Sequence, residues 1–233
     1  HVPVDKLKWY CFADSQTFSM HALSADNMNP NWLTSYYSAK TNAVAMVKPG
    51  KMQLLKPDKK NLSESALADV YIMPSVSDCE NELPKILHEA AHQLAFNTGL
   101  QRQKVMYPVW VSEGLASNFE SCIPSAAGNM RQQRLIEMYR ENRLIPLNEF
   151  ILITRMPDNA SQRKDIYAQS AVFFKFLSEK YAENLRKYFS HVYNLRTGWR
   201  SRAALHTEFV GAFGLIKDVD ASWQNYLQAL SQQ

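Results

Sequence analysis

HEAAHQLAFNTGL occupies residues 88–100, and PVWVSEGLASNFE occupies residues 108–120. The first string opens with His88-Glu89-Ala90-Ala91-His92, two histidines four positions apart with a glutamate beside the first. On a helix, positions i and i+4 lie one above the other on one face. Both imidazoles can therefore reach one ion at the roughly 2.0–2.1 Å of a zinc–nitrogen bond. The neighbouring residues argue for that helix. Ser77 and Glu80 have capping-box spacing, and Asn81 is a second possible N-cap. Pro84 falls in the first turn, where its missing N–H is tolerated. Leu83, Leu87, Ala90, Ala91 and Leu94 recur at helical spacing and predict one apolar face. Gly99 suits the left-handed position that ends a helix.

Two histidines need a further ligand from elsewhere, and Glu113 arrives on a second predicted helix that Pro108 opens and Pro124 stops. Gly114 beside it is poor helix material, about 1 kcal/mol worse than alanine. Its place predicts a close approach of backbone or substrate. Glu89 is near enough to contact water held by a metal without being a ligand. Zinc lowers the pKa of such water, and a carboxylate can then take its proton as it attacks a carbonyl. Alone, the pentapeptide fits a solvated His/Glu helix face equally well. The caps, the apolar face and Glu113 favour the metal.

HExxH followed, after twenty intervening residues, by Glu in a W-x-x-E-G-x-A setting resembles the gluzincin metallopeptidases. The two longer strings are similar to a bacterial family of peptidase-MA-like proteins. Tyr167-Ala168-Gln169-Ser170 and residues 223–227 extend that likeness. It is close over 77–122, looser over 160–230 and faint before 75. The resemblance implies an α+β, zincin-like fold, with a small mixed sheet packed on the HExxH helix and a mostly helical remainder. It implies a zinc-dependent peptidase in which His88, His92 and Glu113 hold Zn2+ and Glu89 is the general base. Glu120, two helical turns after Glu113, resembles a carboxylate that orients a ligand histidine; an ordinary surface glutamate is the other reading. Ser117 stands where some gluzincins place an aspartate, so that support is absent or comes from elsewhere. Tyr167 is the expected donor to the developing oxyanion, with His191 and His206 as alternatives. Gln93 and Asn97 are read as structural, buttressing the loop to the second helix. The G-x-M-E-N segment of the related aminopeptidases is missing, since Asp78-Cys79-Glu80-Asn81-Glu82 lies too close to the zinc helix. That favours an endopeptidase acting on peptide or protein substrates. The alternative is a catalytically silent, zinc-containing binding or scaffolding module of the cell envelope. Glu89 argues against it, because a silent site has no need of a base. The likeness also implies a secreted or envelope location, and the chain's first residue is His1, not Met.

The remaining residues bound the reading. The chain has 233 residues, 46% hydrophobic and 21% charged, ordinary for one soluble globular domain. Its net charge of +4, from 26 basic and 22 acidic residues, forms no basic arm, so no nucleic-acid partner is expected. No apolar run approaches the roughly 18–20 residues that span a bilayer. Residues 1–76 read as strand-containing, with strands at 7–13 and 43–47. A hairpin through Pro49-Gly50 leads to 52–55, and 68–73 is the expected substrate-binding sheet edge. One or two helical turns are expected from Ser15 to Ala22, and a loop over 24–34. Residues 77–233 read as helical, with later helices at 126–142, 148–154, 165–181, 182–195, 201–212 and 220–230. In the first of these, Met130, Leu135 and Met138 share one side, while Arg131, Arg134, Arg140 and Arg143 read as a solvated flank. The aromatic doublets Trp9-Tyr10, Tyr36-Tyr37 and Phe173-Phe174 are expected in the core. Of three cysteines, Cys79 and Cys122 flank the metal segments and could form a disulfide; otherwise all three are small hydrophobes. No phosphate-binding Gly-rich loop and no G-x-S-x-G elbow occurs.

Overall fold

The computed structural model describes residues 7–28, 33–48, 83–120 and 126–232. The strand expected at 68–73, the hairpin through Pro49-Gly50, the caps at Ser77 and Asn81, and the Cys79–Cys122 pair lie outside the described residues. Cys11 is an exposed free thiol.

A three-stranded sheet forms from β1 (Lys8–Phe12), β2 (Ser35–Ser38) and β3 (Ala43–Val47), in the order β1-β3-β2. β1 runs parallel to β3 and β2 antiparallel to it, with Tyr36 opposite Ala45 and Tyr10 opposite Ala45 from the other side. The hairpin partner of β3 is thus β2, which precedes it. Asn42, at φ 52°, takes the left-handed turn position that asparagine tolerates. The helix after β1 is longer than expected: α1 (Ser15–Asp26) runs three turns, because Asp14 caps it by accepting the Thr17 N–H at 2.8 Å.

Strand alternation distributes β2 between two layers. Tyr36 and Ser38 face α1, where the Tyr36 hydroxyl donates to Asp26 at 2.8 Å and Phe18, Ala22 and Ala45 close a small core. Ser35 and Tyr37 face α2 (Leu83–Asn97), where Tyr37 stacks on Phe96 at 5.5 Å. Beyond α2 lies the helical body: α3 (Val109–Glu120), α4 (Ala126–Arg140), α5 (Leu147–Phe150), α6 (Ala160–Lys180), α7 (Ala182–Tyr193), α8 (Arg202–Phe213) and α9 (Ile216–Leu230). Its core centres on Trp110, whose ring meets Phe173 at 5.7 Å, Tyr188 at 5.3 Å and Phe209 at 5.9 Å. Gly114 explains how α3 lies so close to α6. A Cβ there would stand 2.6 Å from the Ser170 carbonyl and 2.7 Å from the Phe174 Cβ, so the approach is one of backbone.

Three expectations are corrected. Of the stripe predicted to bury α2, Ala91 is buried, but Leu94 is 40% exposed and Leu83, Leu87 and Ala90 are half-buried. The helix instead buries Pro84, His88, Glu89, Ala91, Gln93 and Ala95, because the sheet and α3 flank its polar face. On α4, Leu135 and Met138 enter the core but Met130 is exposed. Of the doublets, Tyr36, Phe173 and Phe174 are buried, whereas Tyr10 faces solvent.

The architecture is therefore α+β, mostly helical, with one small mixed sheet. Among the described residues, no helix is long and apolar enough to cross a membrane.

Candidate metal centre

The buried face of α2 points two imidazoles at α3. His88 Nε2 and His92 Nε2 stand 3.1 Å apart. Glu113 reaches across from α3, with Oε2 at 3.1 Å from His88 Nε2 and Oε1 at 3.7 Å from His92 Nε2. Three atoms on a tetrahedron with bonds of roughly 2.0–2.1 Å would be about 3.3 Å apart. The two edges from His88 Nε2, each 3.1 Å, lie just under that value, and the 3.7 Å edge from His92 is to the other oxygen of Glu113. His88, His92 and Glu113 form a group able to hold a metal ion.

The ring of His88 is fixed from behind. Its Nδ1 contacts Oε1 of Glu120, which leaves Nε2 for the metal position. This is the arrangement in which an outer carboxylate sets the tautomer of a ligand histidine. Glu120 is buried, so its reading as a surface residue is corrected. It supplies the support that Ser117 does not. Arg131 of α4 grips the same carboxylate, with Nη2 donating to Oε1 at 3.1 Å and Nη1 meeting Oε2. The Arg131 guanidinium also lies 5.7 Å from the centre of the Tyr167 ring. Tyr167, on α6, sets its ring against His88 at 6.3 Å between centres. The solvated-flank reading is thus corrected for two of the four arginines, since Arg131 holds Glu120 and Arg134 donates to Asp165 at 2.8 Å, while Arg140 and Arg143 are exposed as expected.

Glu89 is buried and is not among the ligand atoms. Ser35 Oγ of β2 donates to its Oε1 at 2.8 Å. A cavity of about 340 Å³ opens here, walled by Ser35, His88, Glu89, Glu120, Arg131 and Tyr167. The alternative donors do not reach it. His191 and His206 are exposed on α7 and α8, and His191 neighbours Glu208. Ser35 was not foreseen from the sequence; its only signal is a Ser-Tyr-Tyr-Ser run whose alternate residues face alternate layers.

Gln93 and Asn97 are structural, but they brace the sheet and not the loop to α3. Gln93 Oε1 accepts from Trp9 Nε1 at 2.8 Å, and its amide nitrogen donates to the carbonyls of Lys8 and Asn42, each at 3.3 Å. Asn97 and Asn42 exchange reciprocal amide bonds at 2.7 and 2.9 Å.

Charge sets the site's character. Burial pushes the His88 pKa down, but hydrogen bonds to Glu113 and Glu120 outweigh it and lift the value to about 10. Burial pushes Glu113 up, yet the charges of His92 and His88 and their hydrogen bonds hold it well below the usual carboxylate range. Glu120 is likewise held low, because His88 and Arg131 outweigh its burial. Burial raises Glu89 against the opposing pull of both imidazoles and Ser35. Burial, with the charges of Glu113 and Glu89, holds the Tyr167 phenol well above its ordinary value. In the metal-free protein the raised His88 value keeps a proton, and with it a positive charge, on that imidazole beside the three carboxylates Glu89, Glu113 and Glu120. Buried carboxylates call for counter-charge; the His88 proton and Arg131 supply it here, and a divalent cation on His88, His92 and Glu113 would take the proton's place.

Residues 82–194 match a family model described as a protein of unknown function (DUF1570). That span holds α2 through α7, with His88, Glu89, His92, Glu113, Glu120, Arg131 and Tyr167, and leaves out Ser35 and the sheet. No curated protein and no solved structure matches the chain.

Proposed function

We propose that this chain is a zinc-dependent peptidase of the gluzincin type, a single zincin-like domain that cuts peptide bonds. One observation carries the reading. A buried carboxylate outside the metal-competent group, Glu89, is held by Ser35 beside His88, His92 and Glu113, and it lines a cavity. Zinc suits two nitrogens and one carboxylate oxygen, and when bound it supplies Lewis acidity and water of lowered pKa. The protein's own part follows from the geometry. Ser35 fixes one oxygen of Glu89 and leaves the other to take a proton from the attacking water and pass it to the leaving amine. Burial raises Glu89, which brings its basicity nearer neutral pH. Tyr167 lines the same cavity with a phenol that stays protonated, so it can donate to oxygen as charge develops there. β2 is at the edge of the sheet among the described residues, and Ser35 belongs to it, so an extended substrate strand beside the cavity has a backbone to pair with. The reading carries with it a secreted or cell-envelope protein.

The test is digestion of a mixed peptide library by the zinc-loaded protein and by Glu89→Gln. The wild type is expected to cut within peptides. The variant should keep its zinc and lose roughly 10²–10⁴-fold in rate, the usual worth of general acid–base help. If neither protein cuts while both hold zinc, the peptidase gives way to the silent, zinc-containing binding module.

A further inference from the structure

We propose that Arg131 is a positioning residue of the metal centre, acting through Glu120 on His88 and lying against Tyr167. The inference rests on the metal-binding part of the reading above and not on peptidase activity. Glu120 has 4% of its side chain exposed, and a carboxylate that deep must be partnered. His88 Nδ1 satisfies one oxygen only in part. The Arg131 fork takes both oxygens, Oε1 through Nη2 at 3.1 Å and Oε2 through Nη1. A planar fork on both oxygens fixes the carboxylate's plane as well as its charge, which one ammonium does not. Fixing that plane fixes the side from which the carboxylate meets His88 Nδ1. It thereby fixes where His88 Nε2 points, toward Glu113 and His92. The other side of the guanidinium lies over the Tyr167 ring. One side chain from α4 thus ties a ligand on α2, its support on α3 and the cavity tyrosine on α6 into one rigid set.

The experiment measures zinc affinity by chelator competition, together with the visible spectrum of the cobalt-loaded protein. It uses the wild type, Glu120→Gln, Arg131→Gln, Arg131→Lys and the double variant R131Q/E120Q. Metal-free melting temperatures are taken alongside. Loss of a supporting partner typically lowers metal affinity by about 10–100-fold. Glu120→Gln is expected in that range and Arg131→Gln at its lower end, about tenfold, with shifted cobalt bands. Arg131→Lys should recover part of the affinity, and it serves as the reporter if the glutamine variant fails to fold. The double variant should be no weaker than Glu120→Gln alone, because the two residues act in series. Wild-type affinity and unshifted cobalt bands in Arg131→Gln would overturn the proposal. So would losses that multiply in the double variant. A wild type that holds no zinc defeats the metal centre itself, and one that holds zinc but cuts no peptide defeats only the peptidase.

Discussion

Helix α2 is gripped on two sides by polar contacts of opposite kinds. Toward the sheet it offers amides. Gln93 meets Trp9, Lys8 and Asn42, Asn97 meets Asn42, and donors are matched to acceptors within the protein. Toward α3 and α6 it offers His88 and His92, with Glu89 beside them held from the sheet by Ser35, and there charge is poorly matched. Three carboxylates face two imidazoles and one guanidinium, and two imidazole nitrogens point at each other across 3.1 Å. A neutral network that closes on itself is structure, because it needs nothing from outside. A charged network balanced by a proton on one imidazole can exchange that proton for a cation. The two sides of one helix therefore separate a scaffold from a site more cleanly than burial does, since Gln93 is the more buried of the two kinds.

The sharpest way to break that contrast is to remove the mismatch. Glu113→Gln keeps the shape of the side chain and deletes one negative charge and one anionic ligand. Its metal affinity should fall by more than the roughly hundredfold that a supporting residue costs, as chelator competition will measure. Affinity that survives Glu113→Gln would mean that the three residues are a structural ion network.

The contrast also predicts a pH dependence. The His88 value of about 10 in the folded, metal-free protein lies above the ordinary histidine value of about 6.5. A raised value means that the proton stabilises the fold. That contribution is fully present below about pH 6.5 and is lost as pH rises toward 10. Denaturant midpoints of metal-free protein should therefore fall across this window, and His88→Gln should flatten the fall. Because metal must displace that proton, zinc affinity should climb across the same range. A metal-free protein equally stable at pH 6.5 and pH 10 would show that the imidazole is not held as an imidazolium.

Much of this was legible in the sequence, and the failures have physical causes. The spacing in His88-Glu89-Ala90-Ala91-His92 puts both imidazoles on one face by helix geometry alone, and Glu113 was expected from the next helix, so the three residues that converge were legible. Proline and glycine punctuation placed most of the helical body. The buried face of α2 was misread because periodicity assumes that apolar faces turn inward. Here a functional polar face is enclosed and Leu94 is left 40% exposed. Ser35 was illegible because a four-residue strand with polar ends carries little pattern, and its role depends on β2 lying beside α2. Arg131 was misread for a related reason. Its partner is eleven residues back on another helix, so only the placement of α4 against α3 reveals the pair. Local pattern reports what one element does, and a site made where five elements meet exceeds it.

The smallest expected effect tests the scaffold side. Trp9→Phe removes the indole donor to Gln93 Oε1 and keeps an aromatic ring on β1. The amide oxygen loses one partner in a part-buried place, which costs about 1–3 kcal/mol of stability. The two bonds from the Gln93 nitrogen to the carbonyls of Lys8 and Asn42 remain to hold the side chain. Urea unfolding should show that loss, and zinc affinity should not move, because the Gln93 network shares no hydrogen bond with the ligands. Weaker zinc binding in Trp9→Phe would mean that the sheet sets the pitch at which α2 presents His88 and His92. Scaffold and site would then be one coupled unit, and β1 would belong to the metal centre as much as α3 does.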